Sequence, residues 1–526
     1  MENGLLHIKT LGLMYRSKRN SIQTSLEFDE FLSPFGNSLS KDNRWVILAN
    51  LIPWDLFEDD YSNNFGSTGF PALPFRVALG SLIIKERLGL SDVEVVAQIK
   101  ENPYLQYFLG YTSFLLEAPF DDSSLTHFRK RINKDVLCRM NEFITGKKMT
   151  SESDNALKDL DTVLMEKNSS QPAPELSGKL IVDATCAPED IRFPTDIALL
   201  NDARVITETV VDHLWSIYPN RLLERKPRTH RKSARKLFLH FIRQKKPGSK
   251  KLYKALKAQL QFIGRNLSTI DSLKEQVGLR ALKTSLYQKL LVSSEVYRQQ
   301  LALLKTFGTI DHNIPDRIVS IHKPHVRPIV RGKAGASCEF GSKASISVVG
   351  GNVYLDKLSW DNYNEGTDLK VHAMRYYTRN GFLPASIHVD KIFLNRENRK
   401  WCQERGIRLS GKPLGRPVED EKMSRAKKRE LRQDELIRIE VEGKFGVAKR
   451  KYSLGRIMTK LRETSETTIA LIFMIINLEK ILRDLFFVFL GMCLHWSTYM
   501  HTCKTWTLKW IHCSRYSSLL GYNYAG

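Results

Sequence analysis

Apolar residues recur at helical spacing through most of the first 146 residues. In Arg76-Val-Ala-Leu-Gly-Ser-Leu-Ile-Ile-Lys-Glu-Arg-Leu they line one helical face. Gly89 ends that helix, and Ser91-Asp-Val-Glu94 opens the next with a capping box. Asn102-Pro103 stops it, and a further helix is predicted in Ser123-Ser-Leu-Thr-His-Phe-Arg-Lys-Arg-Ile. Residues 147–177 begin as a short helix and finish as a polar, Pro-containing linker. At Lys179 the pattern changes to that of a buried strand, closed by Asp183 and followed by the turn Ala187-Pro-Glu-Asp and a helix from Thr195 through Asp202. Residues 213–310 hold Leu, Lys, Arg and Gln at helical spacing, which predicts two or three long helices inserted between strands. Strand-like runs resume in Ile318-Val-Ser-Ile, Ala344-Ser-Ile-Ser-Val-Val and Val353-Tyr-Leu-Asp, the last two joined by a Gly350-Gly-Asn turn. Helix 365–380, strand 385–390, helix 396–405 and a long helix over roughly 430–451 complete the pattern, with a basic loop, Gly411-Lys-Pro-Leu-Gly-Arg-Pro, before the last helix.

Strands that read as antiparallel, then a βα segment, then a long helix predict a mixed α/β core: a mixed sheet flanked by helices, as in ribonuclease H. A chain of 526 residues is too long for one ordinary core. The expected division is a helical N-terminal domain (1–146), a linker (147–177), a core begun in 178–212 and completed in 311–490, and a helical insertion (213–310). A tail (491–526) holds three of the eight tryptophans, three of the seven cysteines and three of the thirteen histidines.

Charge narrows the partners. The 81 Lys and Arg outnumber the 57 Asp and Glu, giving a net +24, so a polyanion is expected. Residues 213–310 hold 22 Lys and Arg against 4 Asp and Glu, which points to nucleic-acid contact there. The longest apolar stretch, from Thr468, is stopped by Glu479 and Lys480, short of the ~20 residues that a membrane span needs. No signal peptide is visible at Met1, and seven scattered cysteines form no disulfide framework. A soluble, intracellular, reduced protein is expected. The N-terminal helix pair, with Arg129, Lys130 and Arg131 on the helix that follows, is compatible with insertion into a major groove and equally with plain packing.

Three acids carry the candidate chemistry. Asp183 closes Lys179-Leu-Ile-Val-Asp, Asp390 closes Ser386-Ile-His-Val-Asp, and Glu442 sits in the helical stretch Arg438-Ile-Glu-Val-Glu-Gly-Lys-Phe-Gly. Hard divalent cations take oxygen ligands and leave positions open for phosphate, and a pair of them can serve both oxygens of a displacement at phosphorus. Arg438, Glu442 and Lys449 fall about one and two helical turns apart, on one face. Glu440 competes with Glu442 for the ligand role, and Lys444 and Arg450 read as solvated helix charges. Asp190 and Asp196 read as turn and helix caps, Cys186 as a buried filler, and His388 as either a packed residue or a neighbour of the metal. Arg331 and Lys333, beside two glycines, suit a DNA backbone contact. The tail residues Cys493, His495, His501, Cys503, His512 and Cys513 are zinc-ligand types without a zinc spacing.

Several runs resemble the DDE transposases of bacterial insertion sequences, in the group with a Tyr-Arg-Glu-Lys signature. They are Leu180-Ile-Val-Asp-Ala-Thr-Cys-Ala-Pro-Glu-Asp-Ile-Arg-Phe-Pro-Thr-Asp, Val330-Arg-Gly-Lys-Ala-Gly-Ala, His388-Val-Asp-Lys-Ile-Phe-Leu-Asn-Arg-Glu-Asn-Arg, Arg408-Leu-Ser-Gly and Val441-Glu-Gly-Lys-Phe-Gly. The likeness runs from about residue 65 to about residue 490. It implies a ribonuclease H-like catalytic core with Asp183, Asp390 and Glu442 as ligands of Mg2+, two ions expected and Mn2+ able to substitute. Arg438 and Lys449 fill the signature's Arg and Lys. Glu435 stands where the signature has its Tyr, with Tyr452 or another group as a substitute for the lost phosphate contact. The resemblance implies cleavage at transposon ends and strand transfer into target DNA, an N-terminal DNA-binding domain, a homodimer on DNA, and a cytoplasmic, nucleoid-associated location. Two rivals are a catalytically inactive DNA-binding derivative and a ribonuclease H-like nuclease that only hydrolyses.

Overall fold

The computed structural model describes residues 31–33, 38–66, 72–149, 153–166, 175–218, 225–304, 314–333, 336–411 and 425–488, with backbone alone for 163–166, 331–333 and 336–337. The tail 491–526, the loop 412–424 and the side chains of Arg331 and Lys333 lie outside the described residues.

The chain divides into two compact units, one built from residues 1–84, 91–122 and 474–526, the other from 85–90 and 123–473. The first holds α1 (Arg44–Leu51), α2 (Glu58–Ser62), most of α3 (Phe75–Leu88), α4 (Asp92–Glu101) and α5 (Pro103–Phe108). Its punctuation follows the sequence. Asn43 accepts from the Trp45 N–H to start α1, and Ser91 accepts from the Glu94 N–H to start α4. Asn102 ends α4 and caps α5, whose first residue is Pro103, where a missing N–H costs nothing. Trp45 and Trp54 both lie against Phe108, and Arg76 donates to the carbonyls of Tyr107 and Phe108 at 2.9 Å, which ties α3 to the end of α5.

The second unit is mixed α/β. Its helices are α6 (Ser124–Arg131), α7 (Lys134–Ile144), α8 (Asp154–Glu166), α9 (Asp196–Ser216), α10 (Arg231–Ile242), α11 (Ser249–Val277), α12 (Thr284–Leu303), α13 (Leu369–Asn380), α14 (Arg396–Glu404) and α15 (Arg425–Lys451). The strands are β1 (Lys179–Pro188), β2 (Arg327–Lys333), β3 (Ala336–Val349), β4 (Asn352–Ser359), β5 (Ser386–His388) and β6 (Arg408–Leu409). A last helix, α16, covers 462–488 and crosses from this unit into the first.

β1 is central. It pairs antiparallel with β3 and parallel with β5, and β5 pairs parallel with β6. β3 carries β1 on one edge, while β2 and then β4 share the other: Gly341 stands opposite both Pro188 and Arg327, and the pairing with β4 takes over two residues on, where its last residue Ser359 lies opposite Lys343. Gly341 is required there, since a Cβ would meet the Ala187 carbonyl oxygen at 2.0 Å. Leu180 and Val182 of β1 join Leu369, Met374, Ile387, Val389, Phe393 and Trp401 in a core under α8, α13 and α14. Ile181 and Asp183 therefore face the other way, toward the side on which α15 packs. With both faces covered, the strand's apolar run is continuous and not alternating.

The basic segment is helical as expected, but its bundle starts earlier than 213. α9 contributes Leu200, Ala203, Val210 and Leu214 to cores shared with Leu256, Leu260, Ile263 and Ile270 of α11. An Asn266-to-Thr207 hydrogen bond of 3.1 Å crosses that seam, and an Arg204–Glu208 ion pair within α9 is buried. Two strand expectations are corrected. Ile318–Ile321 is not a strand: Gln299 of α12 accepts from the Ile318 N–H at 3.0 Å, and Ile318 and Ile321 pack as coil into the insertion core. And β1 does not end at Asp183 but runs five residues further, to Pro188, held by the long β3.

Candidate active site

The parallel ladder between β1 and β5 closes at the pair Ile181 and His388. Two residues further along each chain stand Asp183 and Asp390, so the acids emerge side by side, on neighbouring chains about 4.8 Å apart in a regular sheet. Asp183 is mid-strand on β1, past the point where its parallel neighbour has stopped; Asp390 has left the strand and caps the short turn Lys391–Phe393, accepting from the Lys391 N–H at 2.7 Å. Asp183 accepts from the Ala184 N–H at 2.8 Å. Its carboxyl is pushed up from 3.8 to about 6, first by burial, with Glu365 and Asp390 adding to the shift and the Ala184 bond and Arg438 opposing it.

α15 supplies the third acid. Arg438 reaches to 3.5 Å from Asp390 and 4.0 Å from Glu442, so one guanidinium stands between the two carboxylates. Glu442 is exposed, as its place at the outer edge of the helix requires. Glu440 lies elsewhere. It lines a cleft of about 560 Å3 with Lys147, Lys179, Gly350 and Asn380, at the strand end opposite Asp183. Lys444 donates to the Gly351 carbonyl at 2.6 Å and Arg450 to the Gly446 carbonyl at 3.2 Å, both structural contacts. Lys449 is half-buried. Tyr452 is buried, at 1% exposure, so it does not present a hydroxyl in place of the absent signature Tyr; Glu435, at that position, is exposed.

α15 is held over the sheet end by a clamp that sequence reasoning did not find. Asp434 accepts twice from Arg408 of β6 at 2.8 Å, Glu430 accepts from the same guanidinium, and His388 Nδ1 lies 3.3 Å from Asp434. His388 is fully buried and bonded to Ser386 at 3.1 Å, and burial lowers its pKa. Its partners place it in the packing between β5 and α15. Glu365, on the turn Glu365–Asp368, was also missed. It neighbours Asp183 electrostatically and pairs with Lys343 at 3.4 Å. That turn is docked on the Asp390 turn by Asn398, which donates to both the Gly366 and Phe393 carbonyls. No period or motif marks a single acid on such a turn.

Other candidates settle into structural places. Cys186 is fully buried. Asp190 pairs with Arg456 at 2.7 Å. Thr195, not Asp196, caps α9, leaving Asp196 to pair with Arg317 at 2.7 Å. In the α6 cluster Arg129 is buried at 8% and Arg131 is half-buried, while Lys130 is exposed.

Three carboxylates are the donor set that a hard divalent cation takes. An Asp183 carboxyl whose burial already disfavours its charge fits the same need, because a cation would restore the missing countercharge. The fit is one of chemistry. Among the described residues no three acidic, histidine or cysteine groups are gathered closely enough to hold a metal together, and Arg438 occupies the gap between Asp390 and Glu442.

Two families match the chain, a Transposase DDE domain over residues 387–479 and a Transposase domain (DUF772) over 33–131. The first spans Asp390, Arg438, Glu442 and Lys449; the second spans α1 to α6. Together these matches support a bacterial DDE transposase. A curated relative from Rhizobium meliloti, "Uncharacterized protein ORF8 in nfe locus", is 33% identical over 154 residues, which cover 29% of this chain and 66% of the relative. The match thus spans just under two thirds of the relative's length. No solved structure matches this chain. Among its described residues, no helix is long and apolar enough to cross a membrane.

Proposed function

We propose that this transposase cleaves DNA at the ends of its element and joins the released strands to target DNA, in one site built on Asp183, Asp390 and Glu442. The observation that carries the reading is the convergence of three chain segments: β1 and β5 deliver two acids side by side, and α15 delivers Arg438 and Glu442 over them. The strand order β2–β3–β1–β5–β6, with β4 also paired to β3, antiparallel on one side of β1 and parallel on the other, supports a ribonuclease H-like core.

Asp183, Asp390 and Glu442 would hold the cations, Mg2+ with Mn2+ able to substitute, two ions in all. When bound, such ions activate the attacking oxygen and neutralise charge at the leaving one. The protein's own part is geometry and electrostatics. Burial of Asp183 excludes water from one side of the site. Arg438, freed from the two carboxylates, faces phosphate as a forked cation, and Lys449 on the same helical face adds a second charge. In the first step water attacks the phosphodiester and a 3′-hydroxyl leaves; in the second that hydroxyl attacks the target and a target hydroxyl leaves, with no covalent bond to the protein. The N-terminal helices read the ends, with Lys130 at the exposed edge of α6, and two copies pair the ends on DNA. A soluble location with access to the nucleoid follows from that substrate.

The test uses the purified protein with the DNA flanking its gene. Cleavage that requires Mg2+ or Mn2+ and is lost in Asp183→Ala, with DNA binding retained, is expected. Binding without cleavage in any divalent cation would leave only an inactive derivative; cleavage without joining would leave a hydrolytic nuclease.

A further inference from the structure

Residues 225–270 contain fifteen Lys and Arg and no Asp or Glu. They build α10, the turn after it and most of α11. The inward side is apolar: Ala234, Phe241, Leu256, Leu260 and Ile263 are buried, and four of these five pack against α9. The outward side is rich in cations, with Leu237 and Ile242 of α10 exposed among them. Lys232, Lys236, Lys245, Lys246, Lys250, Lys251, Lys254 and Lys257 are exposed. Asp212 neutralises Lys226 and Arg231, at 2.7 Å from each; among the described residues no other acid pairs with this segment.

Like charges one turn apart, such as Lys250 and Lys254, each cost a few tenths of a kcal/mol in a free helix. Their self-repulsion is relieved by a polyanion. A lipid surface fits less well, because a membrane-bound amphipathic helix inserts a continuous apolar face, and here that face is spent on α9, leaving only Leu237 and Ile242 of α10 exposed. Backbone contact fits the face better than base reading: nine of the segment's fifteen cations are lysines, point charges that contact phosphate, and it offers few of the amide side chains that discriminate base edges.

Resting on the proposed function, we infer that the lysine face of α10, its following turn and α11 is the docking surface for target DNA, gripping duplex backbone without regard to sequence while the element's ends are read elsewhere. Strand transfer needs both kinds of binding, one specific and one indifferent.

The test compares the full-length protein with a variant carrying Lys245, Lys246, Lys250, Lys254 and Lys257→Gln, all exposed positions, with the fold of each checked by circular dichroism. Affinity for a random-sequence duplex is measured against salt. The slope of log K on log salt should flatten by roughly 0.9 for each lysine that meets a phosphate. A change below about 1 overturns the inference, as does an equal change on neutralising Lys158, Lys400 and Lys460, exposed lysines outside the segment. Affinity for the element's end fragments should fall less than affinity for the random duplex; an equal fall would make this a grip on the ends. Binding to anionic phospholipid vesicles that disappears with the five lysines, while the DNA slope stands, would assign the face to lipid. In the cleavage assay the variant should cut ends and fail to join them. If the unaltered protein cuts nothing, the proposed function fails while the duplex-binding result still decides the surface.

Discussion

Asp183 and Asp390 occupy equivalent places on adjacent parallel chains, each two residues beyond the Ile181–His388 pair. Their environments differ. Asp183 is fixed within β1 and half-buried, whereas Asp390 sits on an exposed turn within reach of Arg438. Two like charges side by side, one of them desolvated, give a site whose resting state favours a bound cation.

Asp183→Asn should therefore stabilise the metal-free protein as it destroys activity. The folded carboxyl lies near 6 against 3.8 unfolded, so its ionised form costs stability above about pH 6 and nothing below about 3.8. At pH 8 the substitution should gain up to about 3 kcal/mol in urea unfolding without Mg2+. Adding Mg2+ should raise the melting temperature of the natural protein and not of the variant. A loss of stability at pH 8 would show that Asp183 is satisfied as it stands.

Glu442→Gln and Glu440→Gln separate the two helix acids. The first should lower cleavage by roughly 10²–10³-fold with end binding unchanged, the second by less than about threefold. The reverse order would move the third ligand to the cleft beside Lys147 and Lys179.

Removing Arg438 should split binding from catalysis. Because its guanidinium stands 3.5 Å from Asp390 and 4.0 Å from Glu442, Arg438→Gln should bind Mg2+ at least as tightly in calorimetry, yet cleave about tenfold or more slowly for want of a phosphate contact. Weaker Mg2+ binding would mean that Arg438 orients the carboxylates.

Asp434→Ala should loosen α15 from the sheet. It leaves Arg408 with Glu430 alone, and since Arg408 is 41% exposed the cost should be modest, about 1–2 kcal/mol in urea unfolding. Cleavage should fall by more than that loss of folded protein explains, because Glu442 rides on the same helix. A variant that unfolds more easily but turns over normally would separate the clamp from the site.

His325 should make the fold acid-sensitive. It stacks edge-on against Trp360 at 4.4 Å, and burial, with Lys323 nearby, lowers its pKa from 6.5 to about 4. A depressed histidine contributes stability above pH 6.5 that is lost as pH falls toward 4. His325→Phe should flatten the melting temperature across that window; an unchanged pH profile would place the acid response elsewhere.

What the sequence determined by itself is local or periodic. The change from helical spacing to a buried strand at Lys179, the caps at Ser91 and Asn102, the helical insertion and the spacing of Arg438, Glu442 and Lys449 on one face all follow from backbone geometry within a few residues. The resemblance to DDE transposases, carried by short runs, was legible for the same reason. The tertiary structure decided everything that depends on partners distant in the chain. Asp183 is mid-strand because β3 extends the ladder past the end of β5, a fact absent from Lys179-Leu-Ile-Val-Asp. Ile318–Ile321 has strand composition but finds a glutamine on α12 instead of a neighbouring strand. Arg129, drawn in sequence as part of a basic cluster, is buried, and Glu365 reaches Asp183 only because its turn docks on the Asp390 turn. Burial and long-range electrostatics are properties of the assembled fold, and no local pattern encodes them.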